Sequence, residues 1–256
     1  MRLNSKQGVK PAPSTNSAQM AQSANYAYDT PSAARIPRAR PQTGKSRVWQ
    51  ELTSSQQVHP QGDRVSNDYR ASHCAPGYGA HYNKTHESGY YGALWEKIEK
   101  PLILDVLRPM GGAGRKCLDF ACGTGRIANV AARLFGEVVG ADISRPMLDC
   151  AQVPPNVRLR HIDMTREPLG ETFDVVTAFR FFLNAEDQLK SDALKAINEH
   201  LKDGGRLVCN VHMNATSPIG LVCRLLNRLS GRTIRHTLST TAFKELLTAS
   251  GFRVEE

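Results

Sequence analysis

An acid followed by closely spaced glycines is an arrangement that binds ligands, and residues 116–128, KCLDFACGTGRIA, contain one. A short apolar strand, Lys116 to Phe120, carries Asp119 and runs into the turn Ala121-Cys122-Gly123-Thr124-Gly125. A helix-compatible stretch, 126–134, follows at once. Ligands can approach the backbone at Gly123 and Gly125 because no Cβ stands in the way. A helix opening behind them aims N–H groups at a docked carboxylate or phosphate. Three more groups fall where strands should end: Asp142, Asp163 and His212. A carboxylate at such a place accepts hydrogen bonds, and an imidazole can take a proton. Gly123, Gly125 and Ala128 also satisfy G-x-G-x-x-G/A, the dinucleotide fingerprint, which is a weak signal by itself. A purely structural strand–helix corner is a third reading of the same residues.

The strand, turn and helix resemble the cofactor-binding first motif of class I S-adenosylmethionine (SAM)-dependent methyltransferases, with Ala121 in place of the usual first glycine. The resemblance implies that Asp119 meets the cationic methionine end of SAM, where a dinucleotide diphosphate would be repelled. It also implies a cofactor cradle of Asp119, Ala121, Gly123 and Gly125, with Asp142 and Ile143 at the ribose, Asp163 and Met164 at the adenine, and Phe179 alongside. Asp142 lies 17 positions after Gly125, a spacing that suits ribose binding. Helix capping is the rival role for it, with Ser144 an equal candidate for the cap, and an Asx turn is the rival for Asp163. The run Phe179-Arg180-Phe181-Phe182-Leu183-Asn184 would lie beside the transferring methyl group. It lacks both the Asn/Asp-Pro-Pro-aromatic signature of amino-directed nucleic-acid enzymes and the carboxylate cluster of metal-dependent catechol-type enzymes, so no metal is expected. Arg180, Phe182 and Tyr82 are the candidate acceptor contacts, and His212 is the candidate base for an oxygen nucleophile. Arg180 paired to a nearby acid, aromatics that are simply core, and a structural His212 stand beside those readings.

The elements that must position these groups alternate. After the glycine loop come strands at 137–141, 157–162, 173–179 and 206–211, with helices at 145–152 and 186–202, the latter stopped by Gly204-Gly205. Helices at 219–229 and 241–250 and a terminal strand at 252–256 complete the pattern. Such alternation predicts an α/β, doubly wound, mostly parallel sheet of Rossmann-like type. Upstream, Tyr90 to Leu107 has helical spacing of Leu94, Ile98, Leu102 and Val106, with Pro101 expected to kink it or start a second helix. Residues 71–110 are expected to form a helical lid or cap, ahead of a SAM-binding domain over 111–256. Residues 1–70, rich in Ser, Ala, Gln, Asn, Pro and Arg, cannot build a core and are expected to be a disordered basic tail, with at most a short helix around Trp49 and Leu52. Nothing follows residue 256 to supply the antiparallel last strand of the resembling family. A truncated sheet, with the edge of the 206–211 strand bare, is therefore expected.

Residues 1–50 hold eight basic residues and one acid, so they carry +7 of the net +9 and the rest is nearly neutral. That leaves no broad positive face for a phosphate backbone, and nucleic acid is not expected as a partner. Six cysteines without a C-x-x-C pair suggest a reducing compartment. No apolar run approaches the roughly 18 residues of a membrane span, and no secretory core is visible at the start. The expectation is a cytoplasmic enzyme with SAM as cofactor, a small-molecule hydroxyl as acceptor and no membrane partner. A non-catalytic SAM binder remains as the alternative. A nicotinamide oxidoreductase is disfavoured because the last tyrosine, Tyr91, precedes the glycine loop.

Overall fold

The computed structural model describes residues 16–21, 69–211, 214–231 and 236–255. Its strands are β1 (Asn16–Ala21), β2 (Gly112–Phe120), β3 (Phe135–Asp142), β4 (Val157–His161), β5 (Phe173–Ala178), β6 (Leu201–Asn210) and β7 (Phe252–Glu255). They form one sheet in the order β4-β3-β2-β5-β6-β1-β7, and every pairing is parallel. The helices are α1 (Tyr69–Ser72), α2 (Tyr78–Glu87), α3 (Gly89–Leu94), α4 (Lys100–Leu107), α5 (Arg126–Ala131), α6 (Arg145–Leu148), α7 (Asp187–His200), α8 (Pro218–Ser230) and α9 (Thr240–Ala249).

Residue alternation in the central strands produces two separate cores. Leu118, Val139, Val176 and Leu207 point to one face and meet Leu194 and Ile197 of α7 with Phe243 and Leu247 of α9. Cys117, Val138, Val175 and Val208 point to the other and meet Ile103 and Leu107 of α4 with Ala128 and Ala131 of α5. The α7 sequence has the 3.6-residue spacing that this burial requires: Leu189, Ala193, Leu194, Ile197 and His200 are all buried. His200 is a satisfied core histidine. Its Nε2 accepts from Leu169 N–H at 2.9 Å, and its Nδ1 lies 2.6 Å from the Ala196 carbonyl, which fixes the proton on Nδ1.

Two expectations need correction. Asn16–Ala21 is not part of a structureless tail: it forms β1 and fills the slot between β6 and β7. The edge of β6 is therefore paired, by an N-terminal parallel strand instead of a C-terminal antiparallel one. An open slot in a sheet leaves backbone donors and acceptors unpaired, and any segment able to reach it relieves that cost. Second, Gly204-Gly205 do not stop a helix. The chain turns extended at Leu201 and the glycines lie inside β6, beside a register shift opposite Phe173 and Val175. The helix through Tyr90–Leu107 divides before Pro101, as its sequence led one to expect: α3 runs into a π-helical turn at Trp95–Glu99, and α4 starts with the proline in its first turn. Trp49 and Leu52 lie outside the described residues.

Candidate functional site

In the strand order, β3 and β4 lie on one side of β2 and β5 and β6 on the other, so connections leave the β2–β5 pair in opposite directions. A crevice opens beyond the carboxyl ends of strands at such a point. The glycine loop leaves β2 there, and Phe179-Arg180-Phe181 leaves β5 beside it. Backbone strain gathers at the same place. Ala121 (φ 56°) and Arg180 (φ 61°) are the non-glycine residues with positive φ among those described, one after each strand. In the left-handed region a side chain costs about 1–2 kcal/mol, which is why the resembling motif has glycine where this chain has Ala121.

Gly123 (φ 56°) and Gly125 (φ 79°) take the same left-handed turn without that cost. A Cβ on Gly125 would lie 2.9 Å from Val153 Cγ1, and one on Gly123 would lie 3.0 Å from Met147 Cε. Asp142, at the end of β3, closes the loop from the side. One oxygen accepts from Gly123 N–H and the other from Ser144 N–H, both at 2.7 Å. Burial raises the Asp142 carboxyl pKa, and these amides oppose the rise. The helix capping weighed against ribose binding belongs to Ser144, whose hydroxyl accepts from Met147 N–H.

Asp119 is almost fully buried, on the β2 face that meets α5. Its Oδ2 accepts from Ala128 N–H at 2.9 Å and its Oδ1 from the Thr177 hydroxyl at 2.9 Å. Burial pushes its pKa up to about 7, with the nearby Asp142 adding to the rise. Asp119 therefore also anchors the first turn of α5, and one amide expected to face a ligand is already committed to it. Two polar atoms of the loop are buried without a hydrogen-bond partner, Thr124 Oγ1 and Arg126 Nη1. Such orphans carry a desolvation cost that a bound polar ligand relieves. The loop thus fits a cofactor with both polar and cationic groups.

Asp163 makes the Asx turn weighed for it: Oδ1 accepts from Thr165 N–H and from the Thr165 hydroxyl. Its Oδ2 meets Arg70 Nε of α1 at 3.1 Å, and these contacts overcome burial to lower its pKa. Met164 is buried in the core beside it, and Ile143 lends its carbonyl to His161 Nε2 at 2.9 Å. Arg180 donates from Nη2 to both carboxylate oxygens of Glu99, at 2.7 and 2.8 Å, and its Nη1 lies 3.1 Å from His86 Nε2. That is the paired-acid reading of Arg180. Burial first, then Arg126 and Arg180, lower the His86 pKa to about 4. Its Nδ1 meets the Tyr82 carbonyl at 2.9 Å, so the ring is neutral and accepts from Arg180. Arg126 lies 4.2 Å over the Trp95 ring and 5.9 Å from that of Tyr82, and 3.6 Å from Glu99. Tyr82 thus joins Trp95, Glu99 and Arg126 in a cluster fastening the helical cap to the strand ends.

Phe182 takes the core reading weighed for it. It is fully buried in the core against Phe243. Its neighbour Phe181 contacts both Phe120 and Tyr69. Phe179 is partly buried against the opposite core. His212 lies outside the described residues. Tyr69, Arg70, Glu99 and Arg126 escaped the sequence reading. The first two sit in a short segment without periodicity, and a salt bridge across 81 positions leaves no local pattern.

The glycine loop and the acids Asp119 and Asp142 thus lie together at the carboxyl ends of β2 and β3 in a parallel sheet. Residues 117–205 match the family model described as the methyltransferase domain. Among curated relatives, a cypemycin N-terminal methyltransferase from Streptomyces sp is 39% identical over 103 residues, 38% of this chain and 41% of that one. A demethylmenaquinone methyltransferase from Staphylococcus aureus is 38% identical over 123 residues, 44% of this chain and 50% of that one. The chain thus spans half or less of the length of these relatives. A TehB-like SAM-dependent methyltransferase from Corynebacterium glutamicum has the same fold, with a TM-score of 0.52 at 21% identity over 69% of this chain and 84% of that one. So does human N-acetylserotonin methyltransferase, solved with SAM, with a TM-score of 0.57 at 18% identity over 74% of this chain and 55% of that one.

Proposed function

We propose that this chain is a SAM-dependent methyltransferase acting on a small-molecule acceptor, a hydroxyl in the first instance. The observation that carries the reading is the left-handed glycine turn with Asp119 beneath it and Asp142 beside it, inside the segment that matches the methyltransferase family. Asp142 retains lone pairs for ribose hydroxyls while it holds the loop. Asp119, with its pKa near 7, ionises readily when a cation docks above it. Thr124 and Arg126 offer their unpartnered atoms to the polar end of the cofactor. Ala121, Ile143, Asp163, Met164 and Phe179 belong to the same proposed cradle.

The cofactor supplies an already activated methyl group, so the residues align two reactants and exclude water. We assign His212 to removal of the acceptor proton. The two curated relatives are named for acceptors as unlike as a peptide N-terminus and a quinone precursor, so neither name is carried over. Among the described residues no helix is long and apolar enough to cross a membrane, and the proposed compartment is the cytoplasm. Incubation with labelled SAM and a panel of hydroxylated metabolites tests the reading. Label transfer lost in His212→Ala, with SAM binding kept, is the expected result. SAM binding without transfer to any acceptor would favour the non-catalytic alternative.

A further inference from the structure

The helix α8 is built inside out. Gly220 is buried, Cys223 and Asn227 are half-buried, and these three share one stripe of the helix. That stripe folds back on the turn leading into the helix, so closely that a Cβ on Gly220 would meet the Asn214 carbonyl. The rest of its surface carries Ile219, Leu221, Val222, Leu225, Leu226 and Leu229, all exposed, with Leu229 at 74% and Ile219 at 62%. Soluble proteins rarely leave so continuous an aliphatic face in water, and such a face marks an interaction site. The helix is held for that presentation: Ser217 caps it through Gly220 N–H, and Ala215 N–H bonds the Leu238 carbonyl just ahead of it.

Charge identifies the partner. From Gly204 to Lys244 the sequence holds Arg206, Arg224, Arg228, Arg232, Arg235 and Lys244 and not one acid. Arg224 and Arg228 are exposed and border the aliphatic stripe on its Leu221 side. A second copy packed face to face would bring these arginines together with no carboxylate on the helix to separate them. The N-terminal region is no better suited, because residues 1–50 are poor in large aliphatics and carry +7 themselves. An amphipathic helix with aliphatics on one face and arginines at its border is what lies in the headgroup plane of an anionic bilayer. We propose that α8 docks this protein on an anionic lipid surface, with Val222, Leu225, Leu226 and Leu229 at the acyl boundary and Arg224 and Arg228 on headgroup phosphates. The expectation of no membrane partner came from the lack of a spanning segment, and a helix lying in the interface needs none.

The test is co-sedimentation of the full chain with phosphatidylcholine–phosphatidylglycerol vesicles and with phosphatidylcholine alone. Binding is expected to the anionic vesicles and to weaken steeply without phosphatidylglycerol. The exposed double variant Leu225→Glu, Leu229→Glu should bind roughly tenfold or more weakly, and Arg224→Gln, Arg228→Gln should lose most of the lipid selectivity. Binding undiminished by Leu225→Glu, Leu229→Glu would place the contact elsewhere, on the basic N-terminal region, and overturn the proposal. So would no binding to either vesicle. Sedimentation velocity covers the remaining occupant: a dimer that the leucine variant dissociates, with no vesicle binding, would assign the face to a second copy.

Discussion

At the residue scale the proposed chemistry turns on two carboxylates, Asp119 buried and Asp142 half-buried, whose surroundings differ. Asp119 rests on one amide and one hydroxyl, and its pKa stands at about 7 against an ordinary 3.8. The fold therefore favours its protonated form. Its contribution to stability is full below about pH 3.8 and is lost as the pH rises through 7. Each unit is worth about 1.4 kcal/mol, so the unliganded protein should lose a few kcal/mol over that window. Thermal melts of Asp119→Asn should be flatter with pH than those of the unaltered chain. The substitution is tolerable because Thr177 Oγ1 also lies 3.3 Å from the Leu118 carbonyl, so its hydroxyl can turn and accept. Binding a cation should reverse the preference. SAM affinity in the unaltered chain should climb by up to about tenfold per unit between pH 5 and 7 and then level off, and calorimetry at three pH values measures it. A flat profile would mean that Asp119 serves α5 alone.

At the element scale the glycine loop and β1 make separable predictions. Gly125→Ala asks an L side chain to hold φ 79° with its Cβ against Val153, so the loop should shift and melt at lower temperature. About 1–2 kcal/mol is expected, with a loss of SAM affinity in calorimetry beyond what stability explains. A chain beginning at Asp68 lacks β1, which among the described strands is the one that pairs with β7 and shields the edge of β6. Hydrogen exchange should quicken at 201–210 and 252–255 while 116–142 stays protected, and SAM should still bind. Unchanged exchange in β6 would mean that something else closes the slot. The strands from Lys116 to Asn210 were legible because they are short apolar runs ended by acids or turns, and α7 because its spacing has one period. β1 was not legible: NSAQMA has no alternation and borrows its partners from 206–210 and 252–255. Nor was the setting of Arg180, since its bond to Glu99 depends on how the cap settles on the sheet.

At the scale of the whole molecule, the cofactor half of the sheet and its glycine loop form a unit that a bound ligand should stabilise. Saturation at a hundred times Kd adds about 2.7 kcal/mol to a fold that binds the ligand only when native. The melting temperature should accordingly rise with SAM and stay put with NAD. The most direct test is a calorimetric titration of the full chain with SAM beside the same titration of Asp142→Ala. One site is expected in the unaltered chain. A ten- to hundredfold weaker site is expected in the variant, from roughly 1–3 kcal/mol of lost hydrogen bonding, with the circular dichroism spectrum unchanged. Equal SAM affinity in the two folded chains, or binding of NAD in place of SAM, would contradict it.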